Sequence, residues 1–158
     1  MSDIKLIKHA PGAPGLRLFG LGPNLMPKRG VTKLEQLFNK SAFWASGRKS
    51  WQLRRMLKSS SVVVSAWNSS GLVGFGRATS DGIYRAVLWD VVVQNDHQSL
   101  GVGGKIVESL LDSKSIKAVE RIYLMTTNCE DFYRSIGFDY VNKQKLFLLR
   151  NHASVNCR

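Results

Sequence analysis

The chain has 158 residues, a hydrophobic fraction of 44% and a formal charge of +12. This fits one compact domain over residues 1–158 with a sizeable core, and no stretch approaches the ~20 apolar residues of a membrane span. The opening MSDIKLIKHAPGAPG lacks a secretory apolar region and the Arg/Ser-rich pattern of a transit peptide, so the expectation is a protein that is not secreted and stays where it is made.

In chain order, IKLIK (4–8) alternates and reads as a short strand. The Pro/Gly-rich pieces APGAPG (10–15) and GLGPNLMPKRG (20–30) flank LRLFG, a second short candidate strand. Thr32 and Glu35 have capping-box spacing ahead of Leu37, Phe38, Ala42 and Phe43, which predicts a helix starting at Thr32. A second helix is predicted over Lys49–Leu57. There Trp51, Leu53 and Leu57 share one face, and Arg48, Lys49, Arg54, Arg55 and Lys58 make a solvated basic side.

SVVVSAW (61–67) and LVGFGRAT (72–79) read as a hairpin across NSSG, and SDG (80–82) as a second turn. IYRAVLWDVVVQ (83–94) is almost continuously apolar, as a central strand covered on both faces is. A helix follows the glycines, with Val102, Ile106, Val107, Leu110 and Leu111 on one face. RIYLMTT (121–127) reads as a strand, EDFYRSIG (130–137) as a short helix ended by Gly137, and FDYVNKQKLFLLR (138–150) as one or two strands. The order predicts an α/β fold with a mixed, mostly antiparallel twisted sheet of about seven strands and helices on both faces.

Charge alone admits nucleic acid, an acidic phosphorylated ligand or a generally basic surface. Cys129 and Cys157 form no metal spacing with His9, His97 or His152, so reduced thiols and no metal site are expected.

The segment most open to chemical reading is WDVVVQNDHQSLGVGGKIVESLL (89–111). A Walker A loop needs Ser or Thr after its Lys, but Ile106 follows Lys105. A dinucleotide fingerprint needs a third glycine at that same position. What remains is Gln-x-x-Gly-x-Gly, formed by Gln98, Gly101 and Gly103. Such a turn frees backbone amides at a helix N-terminus for an oxyanion, with Lys105 as a nearby cation, and pyrophosphate is the expected ligand.

Strand, QxxGxG, helix, strand and then FYRSIGF (132–138) together resemble the GCN5-related N-acetyltransferases, the GNAT superfamily, from about residue 32 to 148. GFGRATSDGIYRAVLWDVVV and VERIYLMTT resemble its cyanobacterial and plastid branch, which includes serotonin (arylalkylamine) N-acetyltransferases. The resemblance implies a plastid stroma or cyanobacterial-type cytoplasm and a link to melatonin biosynthesis. It also implies acetyl-CoA in a V-shaped cleft between strands 83–94 and 121–127. Pantetheine would pair with the backbone of Val91, Val92 and Val93, and pyrophosphate with the amides of Gln98, Ser99, Leu100, Gly101, Val102, Gly103, Gly104 and Lys105. Asn128 and Phe132 would border the cofactor, although Asn128 lies closer to Tyr133 than in the family pattern.

Direct attack by an amine in a ternary complex needs a base, since an alkylammonium (pKa ~10.4) is charged near neutrality. It also needs an oxyanion donor, expected at the amide of Val91 or Val92, and an acid for the thiolate. Tyr133 is the expected acid. Asp90, alone in its apolar run beside Trp89, is either the base or an ion-pair partner of Arg77 or Arg85. Neighbours on a strand face opposite sides, so Trp89 and Asp90 share a cleft only across a bulge. Phe43, Asp81, Tyr84 and Trp89 are the expected substrate residues. The acceptor is expected to be a small arylalkylamine, with a protein lysine or N-terminus as the alternative. No membrane partner is expected, nucleic acid is disfavoured, and a homodimer stays open.

Overall fold

Runs of β-branched and small residues set off by turns build the sheet of the computed structural model, which describes residues 3–150. Its strands are β1 (Lys5–His9), β2 (Val62–Asn68), β3 (Gly71–Ser80), β4 (Arg85–Val93) and β5 (Arg121–Tyr123). They lie in the order β1-β2-β3-β4-β5; the first three pairings are antiparallel and β4–β5 is parallel. The chain divides into two compact units, one ending at Met125 and one beginning at Thr126. The first unit holds the whole sheet. Cys157 and His152 lie outside the described residues.

The helices of the first unit are α1 (Pro14–Phe19), α2 (Gly30–Ser41), α3 (Ser50–Lys58), α4 (Val102–Leu111) and α5 (Lys114–Lys117). Helices α1 to α3 cover one face, where Leu16, Leu34, Phe38, Leu53 and Leu57 pack with Val63, Trp67, Phe75 and Val92. Helix α4 covers the other through Val102, Ile106, Val107 and Leu110, all at most 2% exposed. Burying each such side chain contributes roughly 1.5–3 kcal/mol. Glycines on β3 let α4 dock closely: a Cβ at Gly74 or Gly76 would stand 2.8 or 2.6 Å from Ile106. The architecture is the expected mixed, mostly antiparallel α/β one.

Several local expectations are corrected. LRLFG is not a strand but most of α1, because Pro14 suits a first helical turn and Gly20, at φ 62°, closes the helix with its amide on the Leu16 carbonyl at 3.0 Å. Leu16 is buried, and Leu18 and Phe19 face out. The Thr32–Glu35 capping box does not form, because α2 starts two residues earlier; Glu35 instead accepts the Ser50 hydroxyl at 2.6 Å and links α2 to α3. Trp51 lies on the outer side of α3, 58% exposed.

The sheet has five strands rather than about seven. Residues 138–150 form no strand, since apolar alternation cannot supply a ladder partner, and Leu146 to Leu149 are 77–95% exposed. The strand expected over 121–127 is likewise limited to Arg121–Tyr123.

Candidate active site

Strand β4 is paired unevenly. Toward β5 it is paired only from Arg85 to Val87, so from Leu88 onward that edge has no ladder partner among the described residues. Toward β3, Trp89 opposes Arg77 and Val92 opposes Phe75, which leaves Asp90 and Val91 opposite Gly76 alone. This is a β-bulge, and Asp90 adopts φ 52° within it. The bulge that Trp89 and Asp90 require to share a cleft is therefore present. Val91, Val92 and Val93 lie along the unpaired edge.

The bulge is braced by charge. Asp90 accepts Arg48 Nη1 on Oδ1 at 2.9 Å and Arg77 Nε on Oδ2 at 2.7 Å, and its side chain is 7% exposed. Of the two partners expected for it, Arg77 is used and Arg85 is not; Arg85 pairs with Glu120 at 3.4 Å. In the sequence Arg48 stands out only as part of a basic cluster. The signal for its role is that a lone carboxylate in an apolar strand of a cation-rich chain needs counter-charges. Arg48 also lies over the buried Phe38 ring at 5.5 Å, and Arg77 over Trp89 at 5.8 Å. Trp89 Nε1 donates to Thr79 Oγ1 at 2.9 Å.

Beyond β4 the chain turns through Asn95–His97 to the glycines. Gln98 Nε2 donates back to the Val93 carbonyl at 3.1 Å and to Asn95 at 3.3 Å, so this side chain holds the turn to the strand end. His97 Nε2 meets Asn68 Nδ2 at 3.0 Å and ties the turn to the β2–β3 hairpin. Gly101, at φ 76°, caps α4 with no side-chain cap. The first helical amides, of Val102, Gly103 and Gly104, therefore lack intrahelical acceptors. A Cβ at Gly101 or Gly104 would meet nothing within 4 Å. The glycines leave open space in front of unpaired amides, which fits a bound pyrophosphate. Ser99, Leu100 and Lys105 are exposed around it, and buried Val102 anchors the helix start.

In the second unit, α6 (Glu130–Ser135) carries Phe132 and Tyr133. Tyr133 packs edge-on against Phe132 at 4.9 Å and Phe138 at 6.0 Å. Burial, and next the Cys129 thiol, push its hydroxyl up to about 12, so it keeps its proton at any physiological pH. The Asn128 side chain accepts Cys129 Sγ at 3.4 Å.

The expected substrate residues have separate local contacts. Phe43 is 75% exposed and packs edge-on with Trp44 at 5.1 Å. Tyr84, 61% exposed, sits at the β3–β4 hairpin tip. Asp81 Oδ1 accepts the amides of Ile83, Tyr84 and Arg85 at 2.8, 2.7 and 3.1 Å, which builds the turn and holds its carboxyl below the usual range. Among the described residues no group of His, Cys, Asp or Glu is arranged to hold a metal, and no helix is long and apolar enough to cross a membrane.

A family model described as an acetyltransferase (GNAT) domain matches residues 59–140. Serotonin N-acetyltransferase 2, chloroplastic, of Oryza sativa subsp. japonica is 39% identical over 68% of this chain and 56% of that protein. The uncharacterized N-acetyltransferase ycf52 of Pyropia yezoensis is 35% identical over 67% of this chain and 63% of that protein. The chain thus spans 56–63% of the length of these curated relatives. Among solved structures, a GNAT-family acetyltransferase from Streptococcus pneumoniae superposes with a TM-score of 0.70 at 20% identity, covering 95% of this chain and 99% of that one.

Proposed function

The chain belongs to the GNAT acetyltransferase family, and from that premise we propose that it is an acetyl-CoA-dependent N-acetyltransferase acting on a primary amine. The carrying observation is a bulged strand with one free edge that runs directly into an uncapped, glycine-opened helix N-terminus. Acetyl-CoA, when bound, supplies the activated acyl group as a thioester.

The open amides of Val102, Gly103 and Gly104 would hold the pyrophosphate, those of Gln98 and Lys105 being engaged by Asn95 and Gly101, and the free backbone edge of Val91–Val93 would hold the pantetheine arm as an added strand. Of the two candidate amides, Val92 stands opposite Phe75 in the ladder, and Val91, which the bulge leaves out of it, is the one that would donate to the developing oxyanion. Tyr133 keeps its proton until the leaving thiolate needs it. Asn128 and Phe132 flank Tyr133 in sequence.

Asp90 braces the bulge. Both its oxygens already accept guanidinium bonds and the side chain is 7% exposed, which leaves an incoming ammonium little access. Water carries the amine's proton away.

A small arylalkylamine such as serotonin or tryptamine is the favoured acceptor, with Phe43 and Tyr84 as aromatic contacts and Trp89 lining the strand. Similarity to the rice protein named for serotonin supports this reading. A protein amine is the second reading, favoured by how openly Phe43 and Tyr84 face solvent. Similarity to chloroplastic and red-algal proteins supports a plastid or cyanobacterial setting.

Initial rates of CoA release test this with serotonin, tryptamine and a lysine peptide, for wild type and Tyr133→Phe. Fast arylalkylamine turnover that is lost in the variant supports the whole reading. Peptide turnover alone moves the acceptor to proteins, and no turnover on any amine contradicts acetyl transfer.

A further inference from the structure

A cavity of about 210 Å³ opens between α2 and the β2–β3 hairpin, lined by Lys33, Gln36, Lys40, Ser41, Ser70 and Gln94 among others, with two cations and no carboxylate. Its apolar floor, Leu37 and Leu72, belongs to the core beneath α1 to α3. It therefore lies on the sheet face opposite α4.

Lys33 is half-buried, yet its ammonium has no ion pair or hydrogen bond among the described residues. Its position depends on a glycine: Lys33 Nζ lies 2.8 Å from where a Cβ on Gly71 would stand, and Gly71 holds φ 137°. A side chain there would displace the ammonium. The nearest acid on the helix, Glu35, is engaged by Ser50 at 2.6 Å, and the Ser41 hydroxyl is buried without a partner. Two cations lining one cavity with no carboxylate make its potential positive, and an anion offsets that charge. Lysine serves phosphate as a point charge. A single water needs only about 10–15 Å³ of such probe-occupied space, so the cavity has room for a phosphate group and a small organic substituent.

We propose that this cavity binds the phosphate of a small phosphomonoester, with Lys33 and Lys40 as its cations and the Gln36 and Gln94 amides as hydrogen-bond donors. The site is separate from the glycine turn, and the proposal does not rest on the acetyl-transfer reading. The test is calorimetric titration of glycerol 3-phosphate at fixed ionic strength into wild type, Lys33→Gln, Lys33→Gln/Lys40→Gln and Gly104→Val, each checked by thermal melting. Saturable binding is expected, with affinity falling about tenfold or more in the double variant and unchanged in Gly104→Val. Equal affinity in wild type and the double variant, loss of binding in Gly104→Val, or no saturable binding to wild type would overturn it.

Discussion

Removing the carboxylate at the β4 bulge separates a brace from a base. Asp90→Asn keeps side-chain size and tolerance for φ 52° but discards the charge that Arg48 and Arg77 meet at 2.9 and 2.7 Å. Arg77 is only 15% exposed, so its charge is left poorly compensated, and a loss of ~2–3 kcal/mol follows. Asp90→Ala adds roughly 1 kcal/mol, because alanine resists the left-handed region. Arg48 is 34% exposed and its removal leaves the Arg77 bond intact, so Arg48→Ala costs only about 1 kcal/mol. Urea unfolding followed by tryptophan fluorescence reads the order: Asp90→Ala weakest, then Asp90→Asn, then Arg48→Ala. The double variant Asp90→Asn/Arg48→Ala should fall short of additivity, because the two residues share one bond. If Asp90→Asn instead unfolds at the wild-type midpoint while kcat drops ~100-fold or more, Asp90 is a base and the bracing argument fails.

Three further predictions follow from other residues. His9 bonds Ser65 Oγ at 2.8 Å, and burial lowers its pKa from 6.5 to about 4. Between those values the unfolded chain binds a proton that the native chain excludes, so stability is complete above pH 6.5 and falls by ~2–3 kcal/mol as pH drops to 4; His9→Gln should flatten that part of the stability–pH curve. Tyr133→Phe should lower kcat by ~100-fold or more with little change in the KM for acetyl-CoA, and stopped-flow rates of wild type should show no loss from this phenol up to about pH 11, given its value of about 12. Phe43→Ala should raise the KM for tryptamine about tenfold, the share of one aromatic contact, and leave a lysine peptide unaffected; an equal rise for both would remove Phe43 from the acceptor site.

The parts of the fold legible in the sequence were those with a local cause. β2, β3 and β4 carry β-branched runs ended by turn residues, and the glycine turn was readable because only glycine serves both an αL cap and open amides. LRLFG misled because its leucine spacing alternates, while the decisive signals lie outside it, at Pro14 and Gly20. α5, only four residues long, is too short to show a period. The 138–150 segment has strand composition, but pairing depends on a neighbour that composition does not encode. The Arg48–Asp90 pair spans 42 residues. Sequence shows that Asp90 needs counter-charges, and only the folded chain shows which arginines supply them.

The proposed seat of acetyl-CoA is the edge of β4 together with the glycine turn. Gly104→Val tests it, because a Cβ there meets no protein atom within 4 Å and valine costs a helix no more than glycine does. Calorimetric titration of acetyl-CoA should give saturable binding to wild type and at least about tenfold weaker binding to Gly104→Val, with the same melting temperature. Equal affinity in the two proteins would mean that the glycine turn does not seat the cofactor.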